Sequence, residues 1–136
     1  MARGRKPELK GVADGLSKAP PVPAWLPAES KAEWKRIWPG LAARRTVTEA
    51  DLATVEAYCL SVGTAKRAQA LIAAEGEILA TDYGPKRHPA FQTLFQSLTE
   101  SRRLAAELGL TPTSRNKAGA AVPDDSDDLA GAGIDL

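Results

Sequence analysis

Residues that commonly carry catalysis are scarce in this chain. It has one histidine, His88, and one cysteine, Cys59. His88 has no nucleophile or carboxylate beside it in sequence, so we expect a turn residue before a helix, whereas Cys59 lies on an apolar stripe and is expected in the core. A single cysteine excludes an internal disulfide and a cysteine-based zinc site. With no Gly-Lys-Ser/Thr phosphate loop either, the sequence predicts neither an enzyme nor a bound cofactor or metal.

Charge is unevenly distributed along the 136 residues, whose net charge is +1. Residues 118–136 carry five aspartates and no basic residue, so residues 1–117 carry +6. The acidic pairs Asp124-Asp125 and Asp127-Asp128 stand among Ala, Gly and Ser, a composition typical of disorder rather than of a cation site. Basic segments favour contact with nucleic acid, and the other interpretation is two solvated tails.

Binding of phosphate is the chemistry that remains for the basic residues. We predict that nucleic-acid contacts come from the first ten residues, from the first helix and its end, and from a basic strand. The candidates are Arg3, Arg5, Lys6, Lys10, Lys31, Lys35, Arg36, Arg44, Arg45, Lys86 and Arg87. Because they form no single run, a binding surface would have to come from folding or from several subunits together.

The elements that must position these residues form one small domain. We predict a basic, proline-rich flexible arm over residues 1–23, a helical core that supports oligomerisation over residues 24–116, and an acidic disordered tail over residues 117–136. The fold class is mainly α, with long amphipathic helices and one small β-hairpin near residues 77–88. No apolar run approaches the roughly 18 residues that span a bilayer, and no secretion signal is present. We therefore expect an intracellular soluble protein.

Apolar residues at three- and four-residue steps define three helices. The first begins near Pro27 or Ala28, with a kink or break expected before Pro39 and with all three tryptophans expected in the core. The second starts at the capping box of Thr48 and Asp51 and runs as one long helix to about residue 75, with a bend at Gly63 left open. The buried faces are predicted to be Trp34, Ile37, Trp38 and Leu41, then Leu52, Val55, Cys59 and Val62, then Phe91, Leu94, Phe95, Leu98, Ala105 and Leu108.

The sequence predicts that the third helix ends near Gly109 and that a short helix begins directly after it. Gly109 suits the left-handed conformation that closes a helix, Thr111 is an N-cap candidate, and Pro112 suits a first helical position. We expect Arg115 to fix this turn or a subunit contact rather than to bind DNA by itself.

These features, in this order, resemble the small terminase subunit of tailed double-stranded-DNA phages. The resemblance covers roughly residues 4–116. It rests on the basic Gly-Arg-Lys-Pro start, Trp25-Leu26, Trp34, Thr48-Glu49-Ala50-Asp51, Tyr58-Cys59, Gly76 before a short strand, and Glu107 to Arg115 at the close.

The resemblance implies a non-enzymatic DNA-packaging factor that acts in the host cell cytoplasm. Such proteins assemble as homo-oligomeric rings, bind double-stranded viral DNA, and recruit or regulate the large terminase subunit, which carries the ATPase and nuclease. The resemblance implies no cofactor and no membrane. Two alternatives stay open: a small helix-turn-helix transcription regulator, and an adaptor whose acidic tail docks a partner without any role for DNA.

Overall fold

Helices dominate the computed structural model, which describes the backbone of residues 11–120 and the side chains of residues 11–116. The elements are α1 (Ala28–Arg44), a 3₁₀ turn (Glu49–Asp51), α2 (Leu52–Glu75), β1 (Ile78–Thr81), β2 (Gly84–Arg87), α3 (Ala90–Glu107) and α4 (Pro112–Ala120). α2 is central, because α1 packs on it and α3 packs on it as well. The predicted fold class, mainly α with one small hairpin, is confirmed.

The apolar stripe of α1 forms the largest part of the core. Its buried residues include Trp34, Ile37, Trp38 and Leu41, as predicted. The helix continues through Pro39 to Arg44, so of the expected kink or break before Pro39 the break does not occur. Pro39 lacks the N–H that would donate to the Lys35 carbonyl, and both residues are exposed.

Only two of the three tryptophans belong to the core. Trp34 and Trp38 are buried with their rings 5.5 Å apart, whereas Trp25 is 58% exposed. The expectation that Trp25 lies in the core is therefore wrong. Trp25 precedes α1, outside the helical spacing that buries the other two, and its indole N–H donates to Oε1 of Glu56 at 3.2 Å.

α1 crosses α2 at a glycine. A Cβ placed on Gly63 would lie 2.1 Å from Oγ of Ser30 and 2.8 Å from its backbone nitrogen. α2 is one continuous helix across this position, which confirms the predicted long helix. Gly63 therefore marks the close approach of α1 rather than a break in α2.

Residues 11–23 lie against the helices. The Val12 N–H donates to the Arg45 carbonyl at 3.0 Å, and the Leu16 N–H donates to the Val47 carbonyl at 2.7 Å. The sequence did not predict this pairing, because it placed these residues in the flexible arm. Residues 1–10 and 121–136, which contain most of the predicted arm charges and the acidic tail, lie outside the described residues, so their flexibility stays a prediction.

The hairpin is short and joins α2 to α3. β1 and β2 are antiparallel, with Ile78 opposite Arg87 and Thr81 opposite Gly84. The connection is tight, since the Thr81 hydroxyl donates to the Gly84 carbonyl at 2.7 Å and accepts from the Tyr83 N–H at 3.1 Å. Most of its side chains are exposed, so the helices cover little of it.

α3 is buried over its second half and open over its first. Leu104, Ala105 and Leu108 join the main core, whereas Leu94 joins a small cluster with Ala65, Ala68 and Ile72. Phe95 is 52% exposed and Leu98 is 44% exposed, so their predicted burial is wrong. The helical stripe is present, but α2 is narrow and alanine-rich here and covers only its centre.

As predicted, α3 ends just before Gly109 and α4 begins shortly after it. Gly109 has φ +70°, and the N–H groups of Leu110 and Gly109 donate to the carbonyls of Ala105 and Ala106, which is a Schellman motif. Thr111 Oγ1 then accepts from the Ser114 N–H at 3.0 Å, so Thr111 is the N-cap of α4.

Candidate nucleic-acid interface

The structure distributes the predicted nucleic-acid residues over separate places. Arg3, Arg5, Lys6 and Lys10 lie outside the described residues. The other seven form three groups: Lys31, Lys35 and Arg36 on α1; Arg44 and Arg45 at its end; and Lys86 and Arg87 on β2. Eight residues, or about 12 Å of helix axis at 1.5 Å per residue, separate Arg36 in the first group from Arg44 in the second. The prediction that these residues bind nucleic acid stays a prediction.

In the α1 group, the charge of Arg36 is already engaged. Its Nε donates to Oε1 of Glu33 at 2.8 Å, and the Tyr58 hydroxyl donates to Oε2 of Glu33 at 2.6 Å. Burial would raise the pKa of Glu33, but the hydrogen bonds from Arg36 and Tyr58 outweigh it, so that pKa is lowered. Burial and the Glu33 charge raise the pKa of Tyr58. Lys31 and Lys35, one helical turn apart, are the more available cations in this group.

Arg115 joins Arg44 and Arg45 at the end of α1, although the sequence did not predict Arg115 as a site residue. Arg44 Nη2 lies 3.5 Å from the Gly109 carbonyl oxygen, and Arg115 Nη1 lies 3.4 Å from the same oxygen. Arg115 thus contacts the turn, as predicted, but it does so beside Arg44. Burial lowers the pKa of Arg44, and the charge of Arg115 lowers it further. Only the fold brings two residues 71 positions apart to one carbonyl.

Arg45 is held differently from Arg44. It adopts the left-handed conformation, with φ +54°, and its N–H donates to the Leu41 carbonyl. Its side chain is exposed, and its backbone carbonyl accepts from the Val12 N–H. Arg45 therefore ends α1 and leaves its guanidinium in solvent.

In the hairpin group, a cation lies against aromatic side chains of α3. The Arg87 guanidinium carbon lies 4.5 Å from the ring centre of Phe91 and 5.5 Å from that of Phe95. These residues, with Glu77 and Ile78, line an open cavity of about 260 Å³. Lys86 is exposed beside them. The arrangement presents apolar and positive surface side by side, which suits a macromolecular partner.

The single histidine and the single cysteine serve the fold. His88 is buried, its Nδ1 accepts from the Ala90 N–H at 2.9 Å, and its Nε2 lies 2.7 Å from Oε1 of Glu75. Since Nδ1 accepts, Nε2 carries the proton and donates to Glu75. Burial raises the pKa of Cys59 to about 12, so its thiol is protonated at neutral pH. Both residues match their predicted structural roles.

Within residues 11–116, no cluster of three or more His, Cys, Asp or Glu residues could hold a metal ion. No helix in the described part of the chain is long and apolar enough to cross a bilayer.

Comparison with known proteins assigns the chain to a family. No curated protein and no solved structure matches it significantly. The sequence model described as "Phage terminase, small subunit" matches residues 30–125, a span of more than half the chain that runs from the first turn of α1 past the end of α4. The chain therefore belongs to the family of phage terminase small subunits, whose role is in phage DNA packaging.

Proposed function

We propose that this chain is the non-catalytic, DNA-binding subunit of a phage terminase. In the proposal it assembles as a homo-oligomeric ring, binds double-stranded viral DNA, and recruits or regulates the large subunit in the host cell cytoplasm. The observation that carries the proposal is the family match over residues 30–125. Small subunits of this family are generally non-catalytic, and the structural roles of His88 and Cys59 are consistent with that.

Self-association is supported by an apolar surface beside the hairpin. Ile78 is 61% exposed, Phe95 is 52% exposed and Leu98 is 44% exposed. We call these three residues the distal surface. An isolated two-stranded hairpin is marginally stable in water, and an exposed apolar patch with a charged border is typical of a protein interface. A second copy of the chain that covers the distal surface would stabilise both features.

DNA binding is supported by the charge of the described body. Lys35, Arg45 and Lys86 are exposed and Lys31 is partly exposed, and no ion pair engages any of the four within residues 11–116. Each group is too small to form a DNA-binding surface alone. A ring repeats the same cations around one axis, so weak contacts with phosphates add up by avidity.

The helix-turn-helix alternative gains no support from the geometry. A recognition helix must present the side chains of its first turn to the major groove. α2 would be that helix, but it is packed between α1 and α3, and its first turn contains Leu52, Ala53 and Thr54. Only the threonine side chain can hydrogen-bond a base edge.

The experiment that tests the proposal measures DNA affinity and mass together. Light scattering on the full chain is expected to show a multi-subunit species. Fluorescence anisotropy with a labelled duplex is expected to show affinity that falls steeply between 50 and 200 mM salt, as release of counterions requires. A monomer at high concentration, or a duplex that never binds, would contradict the proposal.

Recruitment of the large subunit is tested separately. The purified large subunit is immobilised, and capture of the full chain is compared with capture of a variant whose Asp124, Asp125, Asp127 and Asp128 are changed to Asn. Capture of both forms would assign docking to the core, and capture of the wild type alone would assign it to the tail. Capture of neither would contradict this part of the proposal.

A further inference from the structure

Two arginine side chains meet at one backbone carbonyl where α1, α3 and α4 come together. Arg44 Nη2 and Arg115 Nη1 lie 3.5 Å and 3.4 Å from the carbonyl oxygen of Gly109. The distance between the two nitrogen atoms can be no greater than the sum of these two distances, so the two guanidinium groups are neighbours. Both contacts are longer than an ordinary N–H···O bond, so one neutral oxygen compensates little of two full positive charges.

The carboxylates of the neighbouring cavity do not neutralise this arginine pair. Asp51 and Glu107 line that cavity together with Gly109. Asp51 accepts from the N–H and the hydroxyl of Thr48 at 3.0 and 3.1 Å, and Glu107 accepts from Arg103 at 2.7 Å. Among residues 11–116, no carboxylate forms an ion pair with either member of the arginine pair.

The fold holds Arg44 in place. A Cβ on Gly40 would lie 3.3 Å from Arg44 Nη1, so the side chain lies back over its own helix. Its Nε is buried and has no hydrogen-bond acceptor among the described residues. Burial and the charge of Arg115 lower the pKa of Arg44, yet arginine stays protonated at neutral pH. Among residues 11–116, Arg44 and Arg115 are neighbouring cations with no ion-paired carboxylate, an arrangement that suits an oxyanion.

We infer that Arg44 and Arg115 form a binding site for a phosphate group of the DNA backbone. A phosphodiester has two non-bridging oxygen atoms, one for each guanidinium, and guanidinium groups match phosphate geometry. The inference rests on the proposed function because it assumes that the bound phosphate belongs to DNA. It also assigns a further task to the closing motif, since the helix stop at Gly109 turns α4 so that Arg115 lies beside Arg44.

The first arm of the test uses inorganic anions and no DNA. The melting temperature of the full chain is compared in sodium sulfate and in sodium chloride of equal ionic strength. Because sulfate stabilises folded proteins in general, we expect it to raise the melting temperature of all four proteins, but by less in Arg44→Gln and in Arg115→Gln than in the wild type and in Arg103→Gln. Arg103 is the matched control because it loses the same charge while Glu100 and Glu107 already bind it. An equal rise in all four proteins would overturn the site.

The second arm uses a labelled duplex at several salt concentrations. Loss of one phosphate contact is expected to weaken binding and to lower the slope of log affinity against log salt by about 1. Arg44→Lys keeps a point charge and is expected to retain more affinity than Arg44→Gln. Circular dichroism checks that each variant is folded, and Arg115→Gln, which is farther from the core, tests the site if Arg44→Gln unfolds.

The two arms separate the two failures. A wild type that responds to sulfate more than both glutamine variants but binds no duplex would contradict the proposed function and leave an anion site. A wild type that binds DNA with the same affinity and salt slope as both glutamine variants would overturn the inference and leave the proposed function standing. A sulfate effect that appears only when Asp124, Asp125, Asp127 and Asp128 are changed to Asn would show that the tail carboxylates occupy the arginine pair, and this would overturn its assignment to a DNA phosphate.

Discussion

The contact between Gly63 and Ser30 sets how closely α1 approaches α2. An alanine Cβ at position 63 would lie 2.1 Å from Ser30 Oγ and 2.8 Å from the backbone nitrogen of Ser30, so the helices must move apart. Overpacking of this kind costs about 1–3 kcal/mol, and the better helix propensity of alanine returns at most about 1 kcal/mol. We expect Gly63→Ala to lower the free energy of unfolding, measured by urea titration.

Gly40→Ala is the matched control for this change. Gly40 is also inside a helix, but its added Cβ would meet only the end of the Arg44 side chain, at 3.3 Å. We expect Gly40→Ala to leave stability unchanged or to raise it by up to about 1 kcal/mol. Equal stability of Gly63→Ala and Gly40→Ala would show that the crossing has room to spare.

Glu33 makes stability depend on pH. Hydrogen bonds from Arg36 and Tyr58 lower the pKa of its carboxyl below the ordinary value of 4.5. A carboxyl whose pKa is lower in the folded state stabilises the fold above its unfolded pKa, and this contribution disappears as the pH falls through the folded value. We expect Glu33→Gln to lower the free energy of unfolding at pH 7 by about 1–3 kcal/mol, and to differ less from the wild type as the pH falls below about 4.5.

The control for Glu33→Gln is Glu29→Gln on the same helix. Glu29 is 4.0 Å from Arg67, and both side chains are more than 40% exposed. Such pairs contribute about 0–1 kcal/mol, so Glu29→Gln should follow the wild type in urea titrations at both pH values. A gap between Glu33→Gln and wild type that stays constant from pH 7 to pH 3.5 would show that the carboxyl charge is not the stabilising feature.

At the level of the elements, the end of α3 depends on one backbone conformation. Gly109 has φ +70°, and an added Cβ there would meet no atom within 4 Å. Any cost of Gly109→Ala therefore comes from the backbone alone, about 1 kcal/mol for a residue with a side chain in the left-handed region. We expect thermal unfolding to show this loss for Gly109→Ala and a smaller one for Gly109→Asn, because asparagine tolerates this conformation. Equal melting temperatures for Gly109→Ala and wild type would contradict the account.

Elements decided by local chemistry were predictable from the sequence. The capping box of Thr48 and Asp51, the stop at Gly109 and the hairpin between Gly76 and Pro89 each depend on a few neighbouring residues. The errors over the burial of Trp25, Phe95 and Leu98 have another origin. Whether such a residue is covered depends on which elements lie opposite it, and a single stripe of apolar residues does not contain that information.

The candidate site was predictable only in its parts. Arg44 was predicted as a nucleic-acid residue and Arg115 as a residue that fixes the turn. Their meeting at the Gly109 carbonyl depends on the main core, to which both α1 and the end of α3 contribute, so it joins residues far apart in the chain. Likewise, the sequence did not show that Glu33 engages the charge of Arg36.

At the scale of the whole molecule, the two ends of the helical body are covered unequally. The main core joins α1, the first half of α2 and the end of α3, and it includes both buried tryptophans. The other end is buried only by a cluster of Ala65, Ala68, Ile72 and Leu94. The distal surface lies at this second end, so association through it would complete the part of the fold that a single copy leaves open.

Substitution of the distal surface tests this account of assembly. The variant Phe95→Ser with Leu98→Ser removes apolar area that is already exposed, so the main core should stay folded. We expect light scattering to show a smaller species than the wild type at equal concentration, while circular dichroism shows similar helix content. Val12→Ser is the control, because Val12 is 42% exposed but belongs to the segment paired with Arg45. An unchanged mass for the double variant would move the subunit interface away from the distal surface, whereas a reduced mass for Val12→Ser would assign it to the N-terminal segment.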